Sequence, residues 1–262
     1  MSRVPPDDVM TRASDPPDAV LRYAAHDDGL VDVHLPADVS APVPLVVYVH
    51  GGFWREAFDR THARPLANAL AADGVAVASV EYRRGPGAWS RTSADLDAAM
   101  TALPGLLDGL GVRTSTTTCV GHSAGGHLVL WLANERHPVD RVVALAPVGD
   151  LCFAAGTGMG SGAAVDFLGG PPDEVPAAYD AADPGTRMRA RPTCEVVVVH
   201  GDRDDVVPVE MFFFSKAALG AAEIPCQWHL SADLGHGIDE EGLRQGGLFL
   251  AQAFGLPSPV RN

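Results

Sequence analysis

The chain has 262 residues, a length that suits one large α/β domain and is short for two. Hydrophobic residues make up 47% of the sequence and charged residues 20%, which is ordinary for a globular protein. The formal net charge is −14 at pH 7, so no basic surface is available to neutralise phosphates. The composition therefore argues against nucleic acid and against an anionic membrane as partners.

The N-terminal segment is rich in proline and aspartate, and we expect a flexible arm over residues 1–18 followed by a single domain over residues 19–262. No apolar run resembles a signal peptide, and none approaches the ~20 residues of a membrane-spanning helix. The 4 cysteines lack C-x-x-C spacing, which favours buried reduced thiols over a zinc site or a disulfide framework. These features predict a cytoplasmic protein with no metal or other cofactor.

Strands and helices are predicted to alternate from residue 19 onward. Two apolar runs flank Asp27-Asp28-Gly29, which indicates a hairpin. The remaining apolar runs predict strands at 45–49, 75–80, 116–120, 141–146, 193–199 and 225–230. Helical spacing predicts helices at 62–73, 94–110, 124–135, 209–219 and 239–254. This alternation predicts an α/β fold with a mostly parallel twisted sheet, helices on both faces and ligands at the carboxyl ends of the strands.

Glycine and proline are dense between residues 150 and 187, after the sixth predicted strand. Short helices are expected there at 151–154 and 163–168. The region is long for a simple connection and short for an independent lid domain. We therefore expect an insertion over the edge of the sheet that shapes a pocket.

The segment Gly121-His122-Ser123-Ala124-Gly125 has the G-x-S-x-G pattern between a predicted strand and a predicted helix. In that context the serine sits on a sharp turn and becomes a nucleophile, and small neighbours are needed because the turn is strained. The helix that follows points its free N–H groups toward the reacting centre. Because the pattern also occurs in ordinary glycine-rich turns, its interpretation depends on partners at other strand ends.

A serine hydroxyl needs a general base near neutral pH, and the sequence offers several histidines. His236 is the preferred base, since Gly235 and Gly237 let its loop swing the imidazole over the edge of the sheet. The other candidates are expected in strands, helices or neighbouring turns: His50, His122, His127, His137, His200 and His229.

The imidazole needs an acid to hold its tautomer. Asp202, Asp204 and Asp205 all follow one predicted strand, and Asp150 follows another. Among them, Asp202 and Asp205 are also suited to shaping the turn and capping the next helix. Any of these acids gives the chain order Ser, Asp, His that is expected of α/β-hydrolases.

The segment His50-Gly51-Gly52-Phe53-Trp54 follows the first long buried strand. Backbone N–H groups of Gly51, Gly52, Phe53 and Ala124 are predicted to form an oxyanion hole. Trp54 and Trp89 are predicted to contact the substrate as walls of a pocket. Because these loops all follow parallel strands, we expect them to converge on one edge of the sheet.

These segments together resemble α/β-hydrolases of the esterase/lipase group, and within it the kynurenine formamidase-like and small bacterial carboxylesterase branch. The resemblance covers roughly residues 45–240 and includes Glu81-Tyr82-Arg83 in addition to the motifs above. The acid of the family motif H-G-x-x-D-x-V-V-P falls on Asp204, while the nucleophile and base fall on Ser123 and His236. Phe53 stands where hormone-sensitive-lipase relatives have a third glycine, which favours the formamidase-like branch.

The resemblance implies a serine hydrolase that cleaves a small carboxylic ester through an acyl-enzyme intermediate. The alternative is an arylformamidase that acts on N-formylkynurenine, since both branches carry H-G-G-F-W. A prolyl-oligopeptidase-like peptidase is disfavoured because no propeller domain precedes the hydrolase motifs. A non-catalytic binding protein is disfavoured because every catalytic position is filled. The expected partner is a small-molecule ester or formamide, and the sequence leaves the oligomeric state open.

Overall fold

The computed structural model describes residues 14–187, 194–221, 226–232 and 235–236. Within these ranges, eight strands form one sheet in the order β1-β2-β4-β3-β5-β6-β7-β8. Their bounds are β1 Ala19–Arg22, β2 Leu30–His34, β3 Val43–Val49, β4 Ala76–Val80, β5 Thr114–His122, β6 Arg141–Leu145, β7 Glu195–Gly201 and β8 Cys226–Ser231.

The first two strands form the predicted hairpin, and β2 also pairs antiparallel with β4. All pairings from β4 through β8 are parallel, with Val49 of β3 opposite Val80 of β4 and Gly121 of β5. Continuous apolar runs suit such strands because both faces of a parallel sheet are covered. The predicted mostly parallel sheet of an α/β protein is confirmed.

Helices cover both faces of the sheet, as predicted. Their bounds are α1 Arg64–Ala72, α2 Trp89–Asp108, α3 Ala124–Leu132, α4 Leu151–Gly156, α5 Met159–Leu168, α6 Pro176–Ala182, α7 Pro184–Arg187 and α8 Glu210–Ala221, and a 3-10 turn at Arg60–Ala63 precedes α1. Side chains alternate across β3, so Val46 packs with Leu70 of α1 in one core cluster. Val47 instead packs in a second cluster with Leu96 of α2 and Leu128 of α3.

The insertion after β6 contains four helices, α4 to α7, where the sequence predicted two. Helices α6 and α7, which were not predicted, each begin with a proline, Pro176 and Pro184. Proline suits the first turn of a helix because the N–H it lacks has no partner there. Helix α5 is kinked at Gly160, Ser161 and Gly162, which have left-handed φ values of 59°, 58° and 78°.

Two further boundaries differ from the prediction. Helix α2 begins at Trp89, five residues before the predicted start at residue 94, so Trp89 belongs to a helix and not to the preceding loop. At the N-terminal end, the carboxylate of Asp18 accepts a hydrogen bond from the Leu35 N–H at 2.7 Å, which ties this residue to the domain. Residues 1–13 of the predicted arm and the predicted closing helix 239–254 lie outside the described residues. Among the helices that the structure describes, none has the length and apolar character needed to cross a bilayer.

Candidate active site

Ser123 lies on the sharp turn between β5 and α3, with φ 57° and ψ −118°. A residue with a side chain rarely adopts such angles, so the surrounding structure must hold it there. The Ser123 N–H donates to the carbonyl of Leu145 at 2.8 Å, and the Ser123 carbonyl accepts from the N–H of His127 at 3.1 Å. The strand–turn–helix context expected of a nucleophilic serine is therefore present.

The two glycines of the G-x-S-x-G motif lie where other backbone segments pass close by. A β-carbon at Gly121 would overlap the carbonyl of Gly125, and one at Gly125 would overlap the carbonyl of Val49 at the end of β3. No residue with a side chain fits at either position without a backbone shift. The glycines thus let β5, α3 and the end of β3 meet beside Ser123.

Asp204 and His236 form a hydrogen bond at the same edge of the sheet. The Nδ1 nitrogen of His236 lies 2.8 Å from Oδ2 of Asp204. Because a carboxylate only accepts, Nδ1 carries the proton and Nε2 of a neutral His236 is left with a lone pair. This is the tautomer that a general base requires.

The Asp204 carboxylate is fixed by the loop that carries it. Its Oδ1 accepts from the N–H groups of Val206 at 3.0 Å and Val207 at 2.8 Å, and Nε2 of His200 lies 3.3 Å from Oδ2. Burial by itself raises the pKa of Asp204, but the hydrogen bonds from His200 and His236 outweigh burial and hold the pKa well below its usual range. Asp204 is therefore a carboxylate near neutral pH.

The other candidate acids have different surroundings. Asp150 caps helix α4, since its Oδ1 accepts from the N–H of Phe153 at 2.7 Å. Asp202 and Asp205 are exposed on either side of Asp204. Sequence spacing left the choice among the aspartates open, and the contact between the Asp204 carboxylate and His236 favours Asp204 as the acid.

His122, the residue before Ser123, joins the serine turn to the His236 loop. Its Nε2–H donates to the carbonyl of His236 at 2.9 Å, and the two rings lie 4.6 Å apart between centroids. Burial and the neighbouring His236 lower the pKa of His122 to about 3, so the ring stays neutral near pH 7. No signal along the chain indicates this contact, which links residues 114 positions apart.

Two other candidates for the general base, His127 and His137, contact residues away from the serine turn. His127 is fully buried and its Nε2–H donates to the carbonyl of Ala182 at 3.0 Å. His137 pairs with Asp97 at 3.0 Å. Neither contact involves the serine turn or Asp204.

The predicted oxyanion loop has an unusual backbone. Gly52, Phe53 and Trp54 have φ values of 106°, 52° and 54°, so three successive residues are left-handed. The N–H of Arg55 donates to the carbonyl of Gly52 at 3.0 Å and closes the turn. The N–H of Ala124 is in the first turn of α3, where helix geometry offers it no partner. The start of α3 lies against the start of this loop, since a β-carbon at Gly125 would overlap the carbonyls of Val49 and His50.

Trp54 and Trp89 lie in the interior and not on an open surface, with exposed fractions of 1% and 8%. Trp54 stacks on Phe167 at 4.9 Å between ring centroids, and Trp89 meets the edge of Trp131 at 5.3 Å. His127 contacts both tryptophans. Packing uses almost all of the surface of both rings. Trp54 still belongs to the lining of the cleft described next, and substrate contact by the two tryptophans stays a prediction.

A cleft of about 210 Å³ lies between the Phe53–Glu56 segment and helix α5. Phe53 and Phe167 form apolar parts of its lining, and Arg55, Glu56 and Asp166 supply its charged groups. The Arg55 guanidinium donates to the carbonyl of Gly160 at 2.5 Å, which ties the insertion to the loop. The insertion over residues 150–187 was expected to shape a pocket, and α5 does line this cleft.

The comparisons with known proteins agree with this architecture. A truncated carbohydrate esterase from gut microbiota superposes with a TM-score of 0.78 at 19% identity, over 92% of this chain and 98% of that one. Esterase LipC of Mycobacterium tuberculosis is 26% identical over 245 residues, which cover 83% of this chain and 59% of that relative. Kynurenine formamidase of Drosophila melanogaster is 31% identical over 105 residues, which cover 38% of this chain and 33% of that relative.

The fold is that of an α/β-hydrolase, which confirms the fold expected from the sequence. The model of the BD-FAE family matches residues 31–213, well over half of the chain. The chain therefore belongs to the BD-FAE family. It spans 59% of the length of the mycobacterial esterase and 33% of the formamidase, so it corresponds to a part of each relative.

Proposed function

We propose that the protein is a serine hydrolase that cleaves small carboxylic esters. The observation that carries the proposal is the 2.8 Å hydrogen bond between Asp204 and His236, whose loop is held against the serine turn by His122. The strained conformation of Ser123 adds support, since such strain gathers at functional sites. The family and the similarity to an esterase over 83% of the chain favour the same chemistry.

In the first half of the reaction, Nε2 of His236 takes the proton of the Ser123 hydroxyl as its oxygen attacks the ester carbonyl. Asp204 keeps Nδ1 protonated and stabilises the imidazolium that forms. The tetrahedral intermediate then expels the alcohol, which receives the proton from His236. In the second half, His236 takes a proton from a water that attacks the acyl-serine. The bond to Ser123 then breaks, the Ser123 oxygen receives that proton from His236, and the acid is released.

The negative charge on the carbonyl oxygen is proposed to be held by backbone N–H groups of two segments beside Ser123. The first segment is the Gly51–Phe53 loop, chiefly the amides of Gly52 and Phe53. The second is the start of α3, where the amide of Ala124 donates and the helix dipole favours negative charge as well. Donors of this kind each contribute about 3 kcal/mol to transition-state stabilisation in other hydrolases.

A second candidate is an arylformamidase, which cleaves a formamide through the same nucleophile. The similarity to the Drosophila melanogaster formamidase favours it at 31% identity, although the match covers only 38% of this chain. Comparing the kcat/KM of a short-chain p-nitrophenyl ester with that of N-formylkynurenine distinguishes the two candidates. The ester is the expected better substrate.

The mechanism is tested by replacing Ser123 with alanine. Turnover of p-nitrophenyl acetate by Ser123→Ala is expected to fall by a factor of about 10⁴ or more, as for other serine hydrolases that lose the nucleophile. The matched control is Ser115→Ala, at an exposed position near the other end of the same strand, which should leave the rate unchanged. A fluorophosphonate probe should label the wild type and Ser115→Ala but not Ser123→Ala. The mechanism would be ruled out if Ser123→Ala hydrolysed both the ester and the formamide as fast as the wild type and Ser115→Ala do.

A further inference from the structure

A buried charged cluster lies behind the proposed oxyanion loop. His50 follows β3 and Glu81 follows β4, two adjacent parallel strands, so both residues reach the same edge of the sheet. Their exposed fractions are 0% for His50 and 2% for Glu81. Charged groups this deeply buried are costly unless they are paired and hydrogen-bonded, so the arrangement requires a specific explanation.

Both ring nitrogens of His50 face hydrogen-bond acceptors. The Nε2 nitrogen lies 2.8 Å from Oε1 of Glu81, and Nδ1 lies 2.9 Å from the carbonyl oxygen of Gly51. A neutral imidazole carries one N–H and one lone pair, so one of these contacts would place a lone pair against an oxygen. An imidazolium, which carries two N–H groups, satisfies both contacts.

Glu81 does not supply the missing proton itself. Its Oε1 also accepts from the N–H of Tyr82 at 3.1 Å and from Nη1 of Arg84 at 2.5 Å, while Oε2 accepts from the N–H of Arg60 at 3.1 Å. Burial alone would raise the pKa of Glu81, but the hydrogen bond and charge of His50, together with Arg84, lower it to about 2. Glu81 is therefore an anion that receives hydrogen bonds.

Two cations and two rings also surround the His50–Glu81 pair. Arg84 shares Oε1 of Glu81 with His50, and Nη1 of Arg60 lies 3.5 Å from Oε2. The Tyr82 ring stacks on the imidazole at 4.3 Å between centroids, and its hydroxyl donates to the His50 carbonyl at 2.7 Å. His62 meets the edge of the ring at 5.5 Å. Burial and the charge of His50 lower the pKa of His62 to about 4, so His62 is neutral near pH 7 and does not repel the imidazolium.

The contact with Gly51 connects this charge to the site. The peptide bonds of the described chain are trans, so the N–H of Gly52 points opposite to the carbonyl of Gly51 in the same peptide unit. A hydrogen bond from His50 to that carbonyl fixes the orientation of the peptide plane. A charged donor also polarises the peptide and makes its N–H a stronger donor.

We propose that His50 is a resident imidazolium, held by Glu81, that orients and polarises the Gly51–Gly52 peptide for oxyanion stabilisation. His50 and Glu81 are positioning residues in this proposal, because they act through the Gly52 N–H and do not touch the substrate. The role in oxyanion stabilisation rests on the proposed hydrolase function. The charge of His50 does not, and it can be measured without any substrate.

The charge is tested by nitrogen-15 NMR of histidine-labelled wild-type protein, with His50 assigned through its backbone connectivity. Both ring nitrogens of His50 are expected to be protonated and to have similar chemical shifts. A spectrum in which one nitrogen of His50 is unprotonated at pH about 7 would overturn the proposal. Because this measurement uses the wild type, it does not depend on whether any variant folds.

The catalytic consequence is tested with Glu81→Gln, which keeps the shape of the side chain and removes its charge. His50 is expected to become neutral, and kcat for an ester is expected to fall about tenfold with KM nearly unchanged. The matched control is Glu195→Gln, which breaks the Arg141–Glu195 ion pair at the opposite end of the sheet and should leave kcat unchanged. A neutral His50 with a wild-type kcat in Glu81→Gln would contradict the role in catalysis. If the wild type hydrolyses no ester or formamide, the proposed function fails, and the NMR spectrum still decides the charge of His50.

Discussion

Gly51 and Ser123 lie so close together that a β-carbon placed on Gly51 would stand 3.2 Å from the β-carbon of Ser123 and 2.7 Å from the carbonyl oxygen of His122. The second distance is shorter than real β-carbon contacts allow, and the obstacle is backbone that cannot swing away. The proposed oxyanion loop and the serine turn are thus in direct contact. Their relative position depends on the absence of a side chain at residue 51.

Replacing Gly51 with alanine tests this contact. We expect kcat for an ester to fall about 100-fold, because a shift of about 1 Å in a positioned catalytic group has an effect of this size. The matched control is Gly105→Ala in helix α2, where an added β-carbon meets no atom within 4 Å. That variant should keep full activity and gain about 0.5–1 kcal/mol of stability, since alanine favours a helix over glycine. Full activity in Gly51→Ala would contradict the close contact.

Asp204→Asn tests the role of the acid. The side-chain oxygen of the introduced asparagine can still accept from the N–H groups of Val206 and Val207, so the loop should fold as in the wild type. His236 would lose its anionic partner and adopt the wrong tautomer, and kcat is expected to fall about 10⁴-fold, as in serine proteases. The control is the exposed neighbour Asp205→Asn, which should be fully active. Equal losses in the two variants would show that Asp204 has no special role.

The buried position of Trp89 predicts a packing role that kinetics can separate from a binding role. Trp89→Phe should reduce the free energy of unfolding by about 1–2 kcal/mol, because the smaller ring leaves a gap beside Trp131. The KM for an ester should stay within about twofold of the wild type. Urea unfolding and steady-state kinetics measure the two effects.

The matched control for Trp89→Phe is Val20→Ala on the edge strand β1, where the side chain is 53% exposed. Its stability should change by less than about 0.5 kcal/mol. A fivefold rise in KM for Trp89→Phe without loss of stability would instead show that Trp89 contacts the substrate.

Sequence pattern predicts those parts of the fold that depend on neighbours along the chain. The continuous apolar run at Leu45–Val49 indicates a strand buried on both faces, and the glycines around Ser123 indicate a tight turn. The placement of the loops then follows from topology, since parallel strands bring their carboxyl ends to one edge. Local pattern and topology together were enough to predict the fold. They also predicted that the loops of Ser123, Asp204 and His236 lie at that edge.

Contacts between distant side chains could not be predicted in this way. His122 binds the carbonyl of His236 and His50 binds Glu81, yet no spacing in the sequence relates either pair. Trp54 was predicted as a wall of the substrate pocket, and nothing in the sequence indicates that its left-handed φ of 54° is accompanied by burial of the ring against Phe167. The direction of a side chain beyond a strained turn depends on tertiary packing, which local pattern does not contain.

Three histidines, His127 buried and His62 and His122 partly buried, predict an early loss of stability in acid. The pKa values of His62, His122 and His127 are lowered to about 4, about 3 and about 4, chiefly because burial disfavours the imidazolium. In the unfolded chain a histidine titrates near pH ~6.5. Above that pH these residues are neutral in both states. Between ~6.5 and ~4 the unfolded state binds more protons, so the free energy of unfolding falls as the pH falls.

Each of these histidines should contribute up to about 1.4 kcal/mol of lost stability per pH unit within that window. The lowered pKa values of Glu81 and Asp204 act at lower pH, because their stabilisation is fully present above the unfolded carboxyl pKa of about 4 and is lost as the pH falls below it. A decline in stability between pH about 6 and about 5 therefore reports on the histidines. Urea unfolding at pH 7, 6 and 5 measures it.

His127→Gln isolates one histidine that lies outside the proposed machinery, and the glutamine amide can still donate to the carbonyl of Ala182. Because glutamine does not titrate, the variant should lose about 1 kcal/mol less than the wild type between pH about 6 and about 5. The two proteins should show parallel stability above pH about 7, where His127 is neutral in both states. Identical acid sensitivity in the two proteins would mean that His127 can take up a proton without unfolding, which its burial among Trp54, Trp89 and Phe167 argues against.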